Sequence, residues 1–371
     1  MRILVTGGAG FVGSHLVDAL VAQGHAVRIL DNLDPQVHPK SLPPDYLNPR
    51  AEFVRGDVRD REAVTKALNG IEVLFHLAAA VGVGQSMYDV ARYVEVNALG
   101  AGVVLDILAN QGHSVTKMIV ASSMSCYGEG KYHCDTCGPV FPRLRPAGQL
   151  AARDWEMRCP GCDVTVRPVP TDEEKPLFPT SIYAITKRDH EEMFLAVGRA
   201  YGIPTVALRF FNIYGTRQAL SNPYTGVAAI FSSRLLNAQP PVIFEDGRQT
   251  RDFIHVSDIV AALLLSMNDS RGEGRVLNVG TGRPLSVLDL ARLLSERLGF
   301  HGAPQIENRF REGDIRHCYA DVSRIRRVFG WKAEVPFEEG IEELVRWVQT
   351  QSAQDAVLAA KAELERRGLT K

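Results

Sequence analysis

Short apolar runs alternate with stretches of helical spacing from Arg2 to Phe211. RILVT (2–6), HAVRILD (25–31), EFVRGDV (52–58), VLFHLA (73–78), MIVASS (118–123) and TVALRFF (205–211) read as strands. Between them, residues 11–23 place Phe11, Leu16, Leu20 and Val21 at helical spacing, and residues 61–68, 90–110 and 181–200 also read as helices. Strands alternating with helices predict βαβ units and a parallel sheet covered by helices. Residues 128–175 break this rhythm with Cys, Pro, Arg and Gly in no clear period, and read as an insertion. From Asn212 onward turns, short strands and helices mix, which predicts a smaller C-terminal α/β lobe. The tail AQDAVLAAKAELERRG (353–368) is helical by composition and reads as a solvated terminal helix. The predicted division is 1–127 with 176–211, then 128–175, 212–350 and 351–371.

Composition narrows the function class. Apolar residues make up 45% of the 371, enough for a sizeable core, and the net charge is −1 with no long basic run. That balance excludes an electrostatic nucleic-acid or membrane surface as the main activity. The longest apolar run, Ile259–Leu265, is too short to span a bilayer. The chain starts directly on a strand, without the pattern of a secretory leader, so a cytoplasmic location is expected.

Six cysteines change the picture of the insertion. Cys134-x-x-Cys137 and Cys159-x-x-Cys162 form two pairs with 21 residues between them, while Cys126 and Cys318 stand alone. Two such knuckles, each turned with the help of Gly138 or Gly161, offer four thiolates to a tetrahedral ion. The expectation is structural Zn²⁺ in a zinc-ribbon-like insert; a redox-active dithiol is the rival reading. The insert has few apolar residues and would have little core without a metal.

The chemistry begins at TGGAGFVG, where Gly7, Gly10 and Gly13 lie between a strand and a helix. Such glycines allow a tight turn and let backbone amides approach a pyrophosphate at the helix N-terminus. Asp31 ends the second strand, where a carboxylate binds both ribose hydroxyls of adenosine and repels a 2′-phosphate. The pattern therefore predicts a Rossmann-type doubly wound sheet that binds NAD rather than NADP. Asp57 reads equally as an adenine contact or as the N-cap of the next helix. In MIVASSMSCYG, strand alternation places Ser123 and Ser125 on one face. Tyr183 and Lys187, spaced i and i+4, share a helix face. A phenol beside an ammonium and a cationic nicotinamide has a lowered pKa and can act as a base near neutral pH.

TGGAGFVGSH, HLAA, SSMSCYG, YAITK, LRFFNIYG, RDFIHVSD and REGD, in this order, resemble the extended short-chain dehydrogenase/reductase family of nucleotide-sugar epimerases and dehydratases. The match runs from Met1 to about Trp347, with the insert outside it. The resemblance implies an NAD contact set of Gly7, Gly10, Phe11, Val12, Gly13, Asp31 and Asn32. It adds Asp57 and Val58 at the adenine, Leu77, Ala78 and Ala79 on the nicotinamide side, and Asn97. Ser123 and Tyr183 would be the catalytic pair, with Lys187 on the nicotinamide ribose. Ser123 and Ser125 would face the sugar, Asn212, Arg251 and Arg311 would bind its diphosphate, and Asp314 its nucleoside ribose. The nucleobase is expected at VIFEDG (242–247).

The resemblance also narrows the reaction. Relatives that dehydrate or decarboxylate usually carry glutamate two places before the tyrosine that stands here at 127, and the 3,5-epimerase type carries cysteine. Here that residue is Ser125, preceded by Met124, while Cys126 should face away as a buried core thiol. Without an extra acid or base, the simplest chemistry is oxidation and re-reduction at one carbon, a 4-epimerase acting on a nucleotide-diphosphate sugar. The four-cysteine insert resembles the dTDP-L-rhamnose 4-epimerase group. A 4-keto reductase or dehydratase of the same family is the alternative, and a non-enzymatic dinucleotide sensor is disfavoured by the intact Tyr/Lys pair. The family further implies a homodimer packed through residues 96–110 and 183–200; covering the sheet within one monomer is the other role open to those helices.

Overall fold

In the computed structural model, which describes residues 1–371, the first strands are β1 (Arg2–Thr6), β2 (Ala26–Asp31), β3 (Glu52–Arg55), β4 (Val73–His76) and β5 (Lys117–Ser123). Strands β6 (Lys131–Cys134), β7 (Gly138–Val140) and β8 (Arg167–Val169) follow within the insertion. Then come β9 (Thr205–Phe210), β10 (Asn212–Tyr214), β11 (Val242–Ile243), β12 (Thr250–His255), β13 (Arg275–Val279), β14 (Pro284–Ser286), β15 (Gln305–Ile306) and β16 (His317–Cys318). Seven of these form one sheet in the order β13-β9-β5-β4-β1-β2-β3, every pairing parallel. The strand order reverses beside β1, and loops leave the carboxyl ends of β1 and β4 in opposite directions. A crevice opens there, as it does in other open α/β sheets.

The strands are apolar on both faces because helices cover both. Alternation in β1 sends Ile3 and Val5 into one layer, with Leu16, Leu20, Ile259 and Leu263 from helices Phe11–Ala22 and Val256–Asn268. Leu4 joins the other layer, with Val104, Leu108 and Phe194 from helices Val90–Asn110 and Ile182–Tyr201. Helix Val90–Asn110 is long and apolar enough to cross a membrane, but Val104, Ile107 and Leu108 make it a core helix. β13, from the C-terminal part of the chain, completes the sheet beyond β9. The remaining C-terminal elements close on a third core around Phe231, Leu290 and Leu344.

Helix Ile182–Tyr201 is bounded by its own sequence. The Ser181 hydroxyl accepts the Ala184 amide at 3.1 Å, and Gly202 stops the helix in the left-handed conformation at φ 68°. A buried ion pair fixes its position. Arg209 of β9 donates to both Glu191 carboxylate oxygens, at 2.5 and 2.9 Å, and Ser122 of β5 donates to the same carboxylate at 2.8 Å. Arg209 also donates to the Tyr127 hydroxyl at 2.9 Å, which in turn donates to Asn278 at 2.7 Å.

The C-terminal tail differs from a solvated helix. Helix Val357–Arg366 turns back onto the molecule, Leu364 is buried, and Lys371 exchanges two backbone hydrogen bonds with Phe310. Apolar spacing could not show this, because the residues that receive the tail are distant in sequence.

Replacing Glu191 by Ala strands a buried guanidinium. We expect a loss of about 3–5 kcal/mol, with Glu191→Gln losing less, measured by urea unfolding.

Candidate active site

The crevice is a cavity of about 630 Å³ that runs from the glycine loop to the C-terminal lobe. Gly7 follows β1 at φ 71°, and a Cβ on Gly13 would lie 2.2 Å from the Gly7 carbonyl oxygen. Only glycine allows this close packing of loop and helix. The helix that starts at Phe11 has no side-chain cap at Gly10, so its first amides remain available to an anion. Gly7, Gly10, Phe11, Val12 and Gly13 line the cavity, as do Asp31, Asn32, Val58, Leu77, Ala78 and Ala79. Asp31 accepts the Ala9 amide at 3.0 Å and the Leu33 amide at 2.9 Å, which aims its carboxylate along the loop. This cradle fits a dinucleotide.

Two expected cofactor residues stand one step back. Asp57 is flanked by lining residues Gly56 and Val58, but its carboxylate is held by Asn32 at 3.0 Å and by Arg59. Arg59 keeps that carboxyl well below its usual value, at about 2. The N-cap of helix Arg61–Leu68 is Asp60, so Asp57 does not cap that helix. Asn97 does not line the cavity. It sits in a π turn of helix Val90–Asn110, accepts the Ala80 amide at 2.8 Å, and donates to the Ala80 carbonyl and to Thr186. It holds the loop after β4.

At the centre lie Ser123, Ser125, Tyr183 and Lys187, all lining the cavity. β5 ends at Ser123 and a 3₁₀ turn carries Met124–Tyr127, so strand alternation is not what brings the serines together. The turn does so, with the Ser125 hydroxyl donating to the Ser123 hydroxyl at 2.9 Å. Burial pushes the Tyr183 phenol up to about 12, partly opposed by the Ser123 hydroxyl. The expected lowering is absent from the protein by itself, because burial outweighs what opposes it. Burial brings Lys187 down to about 8. Its ammonium meets Nδ1 of His190 at 3.4 Å, while His190 Nε2 lies 2.9 Å from the Asn97 carbonyl and so donates to it. Cys126 is fully buried, and burial raises its thiol to about 11, as fits a core thiol.

The far half of the cavity holds Asn212, Arg251, Arg311 and Asp314. Asn212 Oδ1 is buried without a hydrogen-bond partner. Arg251 donates to the carbonyls of Thr250, Ile315 and Arg316 at 2.8–3.0 Å. Arg311 pairs with Asp314 at 2.8 Å and lies 4.7 Å over the Phe244 ring. Glu245, in the expected base segment, adopts φ 54° and turns to Arg145 and Arg316 instead. Sequence reasoning missed several lining residues, among them Gln36, Asn222 and Tyr224. Gln36 donates to Gln85 and Asn222 at 3.0 Å, which links the loop after β2 to the lobe. No motif or period marks these loop positions.

Between β5 and helix Ile182–Tyr201 the insertion forms a three-stranded antiparallel sheet, β7-β6-β8. The sulfurs of Cys134, Cys137, Cys159 and Cys162 lie within 4.8 Å of one another, and none is in a disulfide. The Gly161 amide points at Cys159 Sγ and holds that thiol below its ordinary value. A small core of Tyr132, Met157 and Val166 packs beside two of the cysteines. The insertion is tied to the lobe by buried charges. Arg145 pairs with Glu245 at 2.7 Å, and Arg316 pairs with Glu156, Glu245 and Asp246 at 2.6–3.0 Å.

Known proteins share this arrangement. Residues 3–146 match the profile of the NAD dependent epimerase/dehydratase family, and residues 165–344 match GDP-mannose 4,6 dehydratase. The interval between the two matches falls within the insertion. The chain is similar to dTDP-L-rhamnose 4-epimerase of Burkholderia thailandensis, 35% identical over 349 residues and 94% of each chain. It is also similar to UDP-glucose 4-epimerase of Mycolicibacterium smegmatis, 32% identical over 95% of this chain and all 100% of that one. Among solved structures, UDP-glucose 4-epimerase of Thermotoga maritima with UDP-glucose superposes with a TM-score of 0.76 at 32% identity, covering 94% of this chain and 99% of that one. UDP-glucuronic acid 4-epimerase of Bacillus cereus with UDP-glucuronic acid and NAD gives a TM-score of 0.76 at 25% identity, with the same coverage. A glycine cradle ending in Asp31, a buried Ser/Tyr/Lys centre and end-to-end likeness to these enzymes together make the chain a member of the NAD-dependent epimerase/dehydratase family.

Proposed function

We propose that this protein is an isomerase that inverts C4 of a nucleotide-diphosphate sugar through a transient 4-keto sugar. The observation that carries this is the meeting of Ser123, Tyr183 and Lys187 between a dinucleotide cradle and a cavity lined by Arg251 and Arg311. Gly7, Gly10 and Gly13 with their neighbours Phe11 and Val12 hold the pyrophosphate side of NAD. Asp31 and Asn32 bind the adenosine ribose, and Val58, Leu77, Ala78 and Ala79 line the ring pockets. Bound NAD supplies a hydride acceptor at C4 and returns the same hydride, so no net redox change occurs. Tyr183 takes the proton of the C4 hydroxyl as the C4–H bond breaks, and gives it back when the opposite face is reduced. In the protein alone this phenol is held protonated, so its work as a base needs the positive charge that the oxidised cofactor brings. Ser123, backed by Ser125, hydrogen-bonds the reacting oxygen. Lys187 binds the ribose on the nicotinamide side.

Arg251 and Arg311 suit the diphosphate, because guanidinium forks match phosphate oxygens. Asn212 adds its buried amide, and Asp314, beside Arg311, binds the nucleoside ribose. The sugar then turns about this anchor to present its other face. Neither Met124 nor Ser125 carries the carboxyl that a dehydration would need, which favours the 4-epimerase over a dehydratase. Among substrates, dTDP-L-rhamnose is the first choice, supported by likeness to the Burkholderia enzyme. Cys134, Cys137, Cys159 and Cys162 suit structural Zn²⁺: four sulfurs about 2.3 Å from one ion lie roughly 3.8 Å apart, and Cys134 and Cys162 Sγ are 3.5 Å apart here. Val94, Leu99 and Ile185 expose apolar side chains on helices Val90–Asn110 and Ile182–Tyr201, which supports a homodimer through these helices.

The activity is tested by incubating the protein with a panel of nucleotide sugars and following the C4 epimer by NMR. Tyr183→Phe should lower kcat by about 10²–10⁴-fold while NAD stays bound.

A second expectation follows from Lys187, which titrates near 8 when folded against 10.5 as a free side chain. Between those values the unfolded chain binds the extra proton, so stability rises as pH increases through that window. At pH 7 the buried charge lowers stability, by about 3 kcal/mol at most. Lys187→Met should therefore raise the thermal midpoint of NAD-free protein at pH 7, with the gain shrinking towards pH 10.5. Dinucleotide binding and turnover should fall in the same variant.

Metal analysis should find about one zinc per chain. A strong chelator should then expose four reactive thiols and lower the thermal midpoint. Neither change after chelation would overturn the zinc assignment.

A further inference from the structure

The tail beyond Asp355 forms part of the cavity wall, although nothing in the glycine loop or the Ser/Tyr/Lys centre requires it. Val357, Ala360, Lys361 and Leu364, one face of helix Val357–Arg366, line the same cavity as Tyr183 and Arg311. The two sides of this helix are held differently. Towards the lobe the attachment is extensive. Lys361 meets Glu307 at 2.6 Å, Arg309 meets Glu365 at 2.5 Å, Glu312 donates its amide to the Leu369 carbonyl at 2.9 Å, and Arg311 bridges Thr370. Towards the sheet domain the contacts are few and lack backbone hydrogen bonds. Leu364 methyls come within 3.7 Å of the Cβ position of Gly84, and the Arg367 guanidinium lies 4.3 Å over the Tyr88 ring. Tyr88 in turn meets Tyr224, a lining residue, hydroxyl to hydroxyl at 2.5 Å.

We propose that the C-terminal helix is the movable outer wall of the substrate site, and that Leu364 and Lys361 are substrate-site residues. This rests on reading the cavity as a nucleotide-sugar site. The wall stays with the lobe, since it shares backbone hydrogen bonds with the segment that carries Arg311. It parts from the sheet domain at Leu364–Gly84 and Arg367–Tyr88 to admit the ligand, then closes and excludes water from the reacting carbon. Apolar Val357, Ala360 and Leu364 cover the ligand, while Lys361 is drawn to Glu307 and brings its positive charge to the nucleoside half.

Two variants test this: Leu364→Ala, and a chain ended after Asp355, which keeps the Arg234–Asp355 pair. Each should raise KM for the nucleotide sugar about tenfold, with kcat falling by less than KM rises, and each should weaken binding of dTDP and UDP in calorimetric titrations. Trypsin cleavage at Arg366 and Arg367 of the full chain should slow when dTDP or UDP is bound. Unchanged KM and unchanged nucleotide affinity in Leu364→Ala, with its thermal midpoint near that of the parent, would overturn the proposal. So would tryptic cleavage indifferent to both nucleotides. Should the parent epimerise none of the sugars, the activity reading fails, and the calorimetry and proteolysis still decide the fate of the wall.

Discussion

The active-site geometry depends on one buried interaction, the fork of Arg209 on Glu191. Helix Ile182–Tyr201 carries Tyr183 and Lys187, while β5 delivers Ser123. These elements come from distant parts of the chain, and apolar packing between them tolerates small slides. A bidentate guanidinium–carboxylate pair does not, because both hydrogen bonds lengthen when the helix moves. Ser122 binds the same carboxylate from β5, so helix, β5 and β9 share one anchor. Removing these charges from water is costly, and the pair persists because each charge meets a partner of matching geometry.

A second set of charges, centred on buried Arg145, Glu245 and Arg316, plays the corresponding part on the substrate side. Arg145 and Glu156 belong to the four-cysteine insertion, whereas Glu245, Asp246 and Arg316 belong to the lobe. Their pairing fastens the insertion to the lobe. The C-terminal helix lines the active-site cavity itself. Elements outside the parallel sheet thus shape how a substrate is received, while the sheet itself positions the reacting groups.

Comparing sequence and structure element by element shows where local pattern carries information. Six strands of the main sheet were legible, because buried parallel strands are short apolar runs. The seventh, β13, was not assigned: RVLNV is brief and lies among the turns of the C-terminal part. Gly7, Gly13 and Asp31 were legible because a close loop approach admits only glycine and the ribose site requires a carboxylate at a fixed position. Asn97 was expected at the cofactor; it lies in a π turn outside the cavity lining and holds the loop at Ala80. Asp57 was expected as ligand contact or cap, but Arg59 and Asn32 occupy it and Asp60 caps the helix.

By itself the sequence determined the alternation of strands and helices up to Phe211, the dinucleotide cradle, the spacing of Tyr183 and Lys187, and the two cysteine knuckles. Each of these is encoded within a few neighbouring residues, where steric freedom and helical or strand period act directly. Only the tertiary structure decided the burial of the Tyr183 phenol, the bracing of the insertion by Arg145 and Arg316, and the return of the tail to the cavity wall. Those outcomes depend on burial and on groups brought together from distant parts of the chain, for which local period leaves no trace.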